Sequence, residues 1–407
     1  MQLLIKLCSL LLTTASCRRV QTVFDASENR VAWNDIPPDE QPDALGALAG
    51  FMMFGGRKIP RTSFAKLEPK PDPIYGTPCA RSSHGLSVVD KGRRLVLYGG
   101  ESKPRTPLDA EERLWFADRE EDDEDGNEVW QWRCIIIPSG DPQPSARIAH
   151  SQAAIDDRFV FVFGGRSGIA MEEQAMNDLW MLDTKLLQWT EVEAEGAPER
   201  RSFHRMVADR NYLYVFGGCG ENDRLADLHR FDVRSHEWEN LGTSVLRGRG
   251  GANLLVLQNH DVAVVAGFAG EETADGQRFD LSKKVWQPAL LDNLDGLRPR
   301  SVCVTGSFPS LGINIVFGGE VDPSERGHEG AGGFANDLVF FNAKDAQYLQ
   351  TAAAPLDTAW PLPRGWSDGA SYDSGKGKGA LFFFGGLTGD DAQPERLDDL
   401  WRLDVRR

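Results

Sequence analysis

Residues 316–338 read VFGGEVDPSERGHEGAGGFANDL, a strand-like end running into a glycine-rich loop that holds Glu320, Asp322, Glu325, His328 and Glu329. A histidine beside two carboxylates is a donor set that suits ferrous iron while leaving coordination positions open. Glu320, Asp322 and His328 are therefore the candidate ligands of Fe2+. Other Gly-Gly pairs are also followed by charge: Glu101 and Arg105 in GGESKPR, Arg166 in GGRSG, Arg224 in GGCGENDRL. Arginine presents a planar fork that matches sulfate, phosphate or carboxylate. Phe203 and Trp366 lie in segments that lead into strands, where aromatic rings can wall a small-molecule pocket. Arginines paired internally and a solvated acidic loop are the plainer reading. The chemistry requires that all these residues meet in one place.

The elements that position them repeat along the chain. A strand of β-branched and aromatic residues ending in Gly-Gly recurs as RLVLYGG, FVFVFGG, YLYVFGG, INIVFGG and ALFFFGG, with VAVVAGFAG at 262–270 as a degenerate copy. Before each copy stands an arginine: Arg81, Arg147, Arg201, Arg249, Arg300 and Arg364. After each comes an acidic-aromatic strand such as NDLWMLD or DDLWRLD, then a strand carrying Trp132, Trp189, Trp238 or Trp286, with Tyr348 in the fifth copy. The period of roughly 50 residues is that of kelch-type units of four strands. Such a sheet is apolar on both faces and is stable only when stacked against neighbours in a ring. The expected fold is therefore all-β, a six-bladed kelch β-propeller over residues 61–407. The last copy stops after its third strand, so an N-terminal strand must close it. SFAKLEP (63–69) is the favoured supplier, with Phe64 in the place of the tryptophan, ahead of RVAWND around Trp33. In such a ring the loops after each Gly-Gly share a rim with the loops entering each blade. The acidic run DREEDDEDGNE (118–128) falls on the opposite side.

Composition narrows the function. A formal charge of −16 with no basic stripe argues against nucleic acid or an anionic membrane as partner. Six scattered cysteines without CxxC spacing suit reduced thiols and a cytoplasmic location. The alternative is secretion, if residues 1–17 act as a signal peptide, although Lys6 interrupts their apolar run. Residues 1–60 are read as a poorly ordered or signal-like extension, and no segment reads as a membrane span. Phosphate-loop, dinucleotide and nucleophile-elbow motifs are absent.

The loops YGGESKPRTPLD, FGGRSGIAMEEQAMNDLW, RRSFHRMV, FGGCGENDRLADL, FGGEVDPSERGHEGAGGFANDL and PRGWSDGA together resemble those of the kelch-repeat nitrile-specifier, epithiospecifier and thiocyanate-forming proteins, from about Phe64 onward. The resemblance implies a ferrous-iron-dependent lyase of specialised metabolism. Its substrates are glucosinolate aglycones, the thiohydroximate-O-sulfates released by myrosinase, and its products are nitriles. It also implies that Glu320 and His328 bind iron, with Ser324 standing where the family has the middle ligand, an aspartate; Asp322 or Glu325 are the substitutes at hand. The sulfate-binding arginines map onto Arg166 and Arg224 as the catalytic pair. The pocket aromatics map onto Phe203 and Trp366; Glu101 and Arg105, read from the loop after their own Gly-Gly rather than from the resemblance, are the further substrate-binding candidates. Two readings compete: a non-catalytic module binding a protein partner at the same mouth, and an enzyme acting on another small anion.

Overall fold

The computed structural model describes residues 59–407 apart from 110–113, 169–174, 292–293, 295, 327–329 and 356–358. The expectations about the N-terminal segment up to residue 58, and the ligand His328, lie outside the described residues. Six four-stranded antiparallel sheets are formed. The innermost strands of blades 1 to 5 are Gly85–Val89, Ser151–Ile155, Arg205–Asp209, Asn253–Val256 and Val304–Phe308. Blade 6 runs Gly369–Asp373, Lys378–Gly389, Pro394–Arg406 and finally Arg61–Leu67, which pairs antiparallel with the C-terminal strand. The expected ring, closed by the expected strand, is what forms.

The closing strand is in register. Phe64 faces Leu403 one residue before Asp404, as Trp189 faces Leu182 before Asp183 and Trp238 faces Phe231 before Asp232. Each of these rings fills the gap to the preceding blade: Trp189 lies 5.2 Å from Tyr98, Trp238 5.1 Å from Phe163, and Phe64 5.2 Å from Phe317. The core is accordingly divided into apolar clusters, each built where two blades meet.

The repeated arginine explains the repeated loops. Arg201 is fully buried; its Nη1 donates to the Gly217 carbonyl at 3.0 Å, and its two terminal nitrogens grip Asp227, both at 2.8 Å. Arg147–Asp178, Arg249–Asp275, Arg300–Asp337 and Arg364–Asp399 repeat the arrangement. The second glycine of each pair sits with positive φ against the entry loop. A Cβ on Gly165 (φ +94°) would lie 2.7 Å from the Ile148 carbonyl. The histidines of the Arg-x-x-His motifs are wedges between blades. His84 packs on Phe384, His150 on Tyr98 and His204 on Phe163. Burial holds His84 and His204 neutral, with pKa values down to about 3, and pushes His150 well below its usual range.

Two features close the axis. Ser83, Ala149, Phe203, Gly251, Val302 and Trp366, one per blade and all at positive φ, form a circle of backbone hydrogen bonds. Each N–H donates to the carbonyl of the equivalent residue in the preceding blade at 2.8–3.0 Å. Blades 3 and 6 lie opposite one another, and across the axis Phe203 meets Trp366 edge-on at 5.5 Å. Two residues further in, Arg205 Nη1 donates to Asp368 Oδ1 at 2.7 Å across the same gap, while its Nη2 reaches the Cys303 carbonyl at 3.1 Å.

Candidate functional site at the ring mouth

Each entry loop is bridged to the residue just after a Gly-Gly, or after Ala266-Gly267 in the degenerate copy, so the two loop sets form a single rim. The pairs are Ser82–Glu101, Ile148–Arg166, Ser202–Cys219, Gly250–Phe268, Ser301–Glu320 and Gly365–Leu387. The rim surrounds the Phe203–Trp366 contact. One cavity there is lined by Glu101, Arg105, Phe203, Glu320, Trp366 and Arg396, with Ser82, Ser83, Ile148, Gly330 and Leu387 completing its wall. Arg166 lies on the other flank of Phe203, its guanidinium 5.7 Å from the ring, and Arg224 stands 4.8 Å over Phe268. Both arginines act on Cys219, whose thiol burial nevertheless pushes upward. The predicted Glu101, Arg105, Arg166, Phe203, Arg224, Glu320 and Trp366 thus share one mouth. Arg105 stands with Glu320 in the cavity; Arg166 reaches its wall only through the Phe203 ring, and Arg224 lies over Phe268.

Glu101 has a different occupation from the one its position suggests. Its carboxylate accepts from the Ser82 and Ser83 hydroxyls at 3.3 and 3.4 Å, from the Arg105 backbone N–H at 2.5 Å, and from Arg396 Nη2 at 3.1 Å. It holds two arginines in place at the rim, and Arg105 keeps a buried Nε with no partner among the described residues.

The acidic loop is only partly gathered. Glu320 is buried, and burial together with Asp391 raises its pKa to about 7, against hydrogen bonds from the Ser324 and Gly332 N–H groups and the Trp366 indole. Asp322 is turned to solvent and pairs with Arg298 at 2.8 Å. The Ser324 hydroxyl is bonded to the Asp391 carboxylate, which also accepts from the Glu325 N–H at 3.1 Å. Among the described residues no three His, Cys, Asp or Glu side chains converge as a metal cage. The third expected ligand, His328, lies outside the described residues, so of the Glu320, Asp322 and His328 set only the two carboxylates are described. What does fit a hard dication is a neighbour that sequence reasoning missed. Glu272, in blade 4, is 9% exposed, and its Oε2 is buried without a partner. Burial, then the Glu320 charge, raises its pKa to about 8 against one hydrogen bond from Ser301, whose Oγ lies 3.2 Å from Oε1.

Arg396 and Glu272 carry a signal that aligning the copies exposes. Each lies three residues before the aspartate that grips the buried arginine: Arg396 before Asp399, Glu272 before Asp275, Arg224 before Asp227. Only Arg224 of the three is picked out by its own loop.

Comparison with known proteins agrees with this architecture. Residues 51–197 and 131–307 match the family of the KLHDC2/KLHL20/DRC7 Kelch-repeats domain. Over 349 residues the chain is 25% identical to the N-(sulfonatooxy)prop-2-enimidothioate sulfolyase of Thlaspi arvense, covering 80% of this chain and 92% of that protein. It is 31% identical over 321 residues to the flagellar outer arm dynein alpha chain of Chlamydomonas reinhardtii, spanning 70% of this chain but 6% of that one. The leucine-zipper-like transcriptional regulator 1 of Homo sapiens is 31% identical over 185 residues, 44% of this chain and 20% of that protein. The solved structure of YjhT aligns with a TM-score of 0.57 at 17% identity, over 83% of this chain and 99% of that one, a likeness of fold alone.

Proposed function

We propose that this chain, which belongs to the kelch-repeat family and is a specifier-like kelch protein by its similarity to the sulfolyase, converts a thiohydroximate-O-sulfate, a glucosinolate aglycone, to a nitrile. One observation carries the reading: arginines, an aromatic wall and a buried carboxyl share a single mouth. The name of the Thlaspi arvense relative describes a sulfonatooxy group on an imidothioate, the same reacting unit. A doubly charged substrate suits a rim with Arg105, Arg166, Arg224 and Arg396, whose guanidinium forks match a sulfate.

The reaction balances without a co-reactant. The N–O bond breaks with its electron pair leaving on sulfate, the C–S bond breaks with its pair completing the carbon–nitrogen triple bond, and the thiolate sulfur, keeping its lone pairs, departs as the neutral element. Arg105 and Arg166 stabilise the charge growing on the leaving sulfate. Phe203 and Trp366 cover the side chain of the substrate and exclude water from beneath. Glu320, with its neighbour Glu272, is the carboxylate that would hold Fe2+, and the metal when bound supplies Lewis-acid or redox stabilisation at sulfur.

The test is direct. Purified protein with Fe2+, myrosinase and a glucosinolate should divert product from isothiocyanate to nitrile, and Arg105→Ala or Arg166→Ala should raise KM at least tenfold. Isothiocyanate as the sole product would overturn the assignment. The 31% identities to segments of two large proteins favour a second reading, docking of a protein partner at this mouth. It predicts that partner capture survives Glu320→Gln.

A further inference from the structure

The ring contains its own control experiment. At the junction from blade 6 to blade 1, Arg396 reaches across to Glu101: Nη2 lies 3.1 Å from the carboxylate and Nε 3.0 Å from the Ser82 hydroxyl. The junction from blade 4 to blade 5 has the same parts in the same places. Glu272 takes the position of Arg396, Glu320 that of Glu101, and Ser301 that of Ser82, with the same backbone bridge from serine to glutamate. At blade 3 to blade 4 the equivalent pair is Arg224 over Phe268, again an attractive contact. Among these three junctions, only this one has a carboxyl group at both positions, Glu272 and Glu320, with Ser301 bonded to Glu272 and bridged to Glu320.

The surroundings leave that junction uncompensated. Asp322 takes Arg298, and Arg326 binds the Asp391 backbone carbonyl at 2.6 Å. Among the described residues neither Glu272 nor Glu320 has an ion pair with a lysine, arginine or histidine, and Glu272 Oε2 is buried without a hydrogen-bond partner. Two buried like charges are costly unless a cation or a proton lies between them. We infer that the Glu272–Glu320 junction binds a divalent cation where the equivalent junction holds the Arg396 guanidinium. Two carboxylates and the Ser301 hydroxyl are oxygen donors suited to a hard dication. Glu272 is then a metal-binding residue from a neighbouring blade. This rests on the metal reading of the proposed function and adds to it a ligand outside the Glu320 loop.

The experiment titrates Mn2+ into the full chain, followed by electron paramagnetic resonance, with thermal unfolding recorded without metal. Wild type should bind one ion. Glu272→Gln should weaken binding 10- to 100-fold. Glu272→Arg recreates the Arg396–Glu101 pair; it should abolish binding while leaving the unfolding temperature equal to or above that of wild type. If Glu320→Gln abolishes binding but Glu272→Gln binds as wild type does, the metal reading stands and the role of Glu272 falls. If wild type binds neither Mn2+ nor Fe2+, both fall together. Loss of binding with a lowered unfolding temperature in both Glu272 variants would make the residue structural and also overturn the inference.

Discussion

Substituting a motif histidine tests the packing logic through its dependence on pH. His84 and His204 titrate near 6.5 in an unfolded chain but at about 3 when folded. Below pH 6.5 the unfolded state therefore takes up protons that the folded state refuses, and acid favours unfolding. Each group contributes about 1.4 kcal/mol per pH unit. By pH 5 the two together cost about 4 kcal/mol, a large share of the 5–15 kcal/mol that stabilises a typical domain. His150 acts in the same direction. Glu272 and Glu320 oppose it. Their folded pKa values of about 8 and 7 lie above the unfolded 4.5, so protonating them stabilises the ring as pH falls toward 4.5 and adds nothing further below it. The wild-type curve should thus decline gently from pH 6.5 to 4.5 and steeply beneath. Urea unfolding of wild type and His204→Gln, followed by tryptophan fluorescence at pH 7, 5.5 and 4, measures the difference. The variant should gain on wild type by about 1.4 kcal/mol for each unit below 6.5. Parallel curves would refute the claim that this imidazole is buried neutral.

Other consequences are separable. Trp238→Ala should cost about 3–5 kcal/mol in calorimetric unfolding, because the indole touches both Phe163 and Phe231, and Phe64→Ala should behave alike if it fills the equivalent slot. Arg300→Met removes both guanidinium bonds to the Asp337 carboxylate and should cost about 3–5 kcal/mol; Arg247→Ala, which breaks a solvent-exposed pair with Glu271, should cost less than about 1 kcal/mol. A chain beginning at Pro69 leaves the Pro394–Arg406 strand with an open edge and should elute as oligomers on size exclusion.

The repeat was legible because one structural problem is solved six times, so Gly-Gly, arginine and tryptophan recur at fixed spacing. Even the closing strand could be found, since Phe64 stands as far from its neighbours as a tryptophan would. The contents of the rim were legible by loop, and Phe203, Trp366 and Arg105 come together as expected. Pairings across a blade junction were not. Glu101 looks like a ligand-binding carboxylate until Arg396, distant in sequence, is seen holding it. For Glu101 the reason is that an electrostatic partner supplied by another copy is invisible to the spacing within a copy. Asp322 pairs with Arg298 at the surface, a contact its loop sequence does not announce.

The stacked contacts across the axis, Phe203 on Trp366 and Arg205 on Asp368, also bear on traffic. They narrow the axis beneath the mouth. On the proposed reaction, released sulfate and arriving substrate would contend for the same guanidinium groups, and sulfate ion is the expected competitive inhibitor.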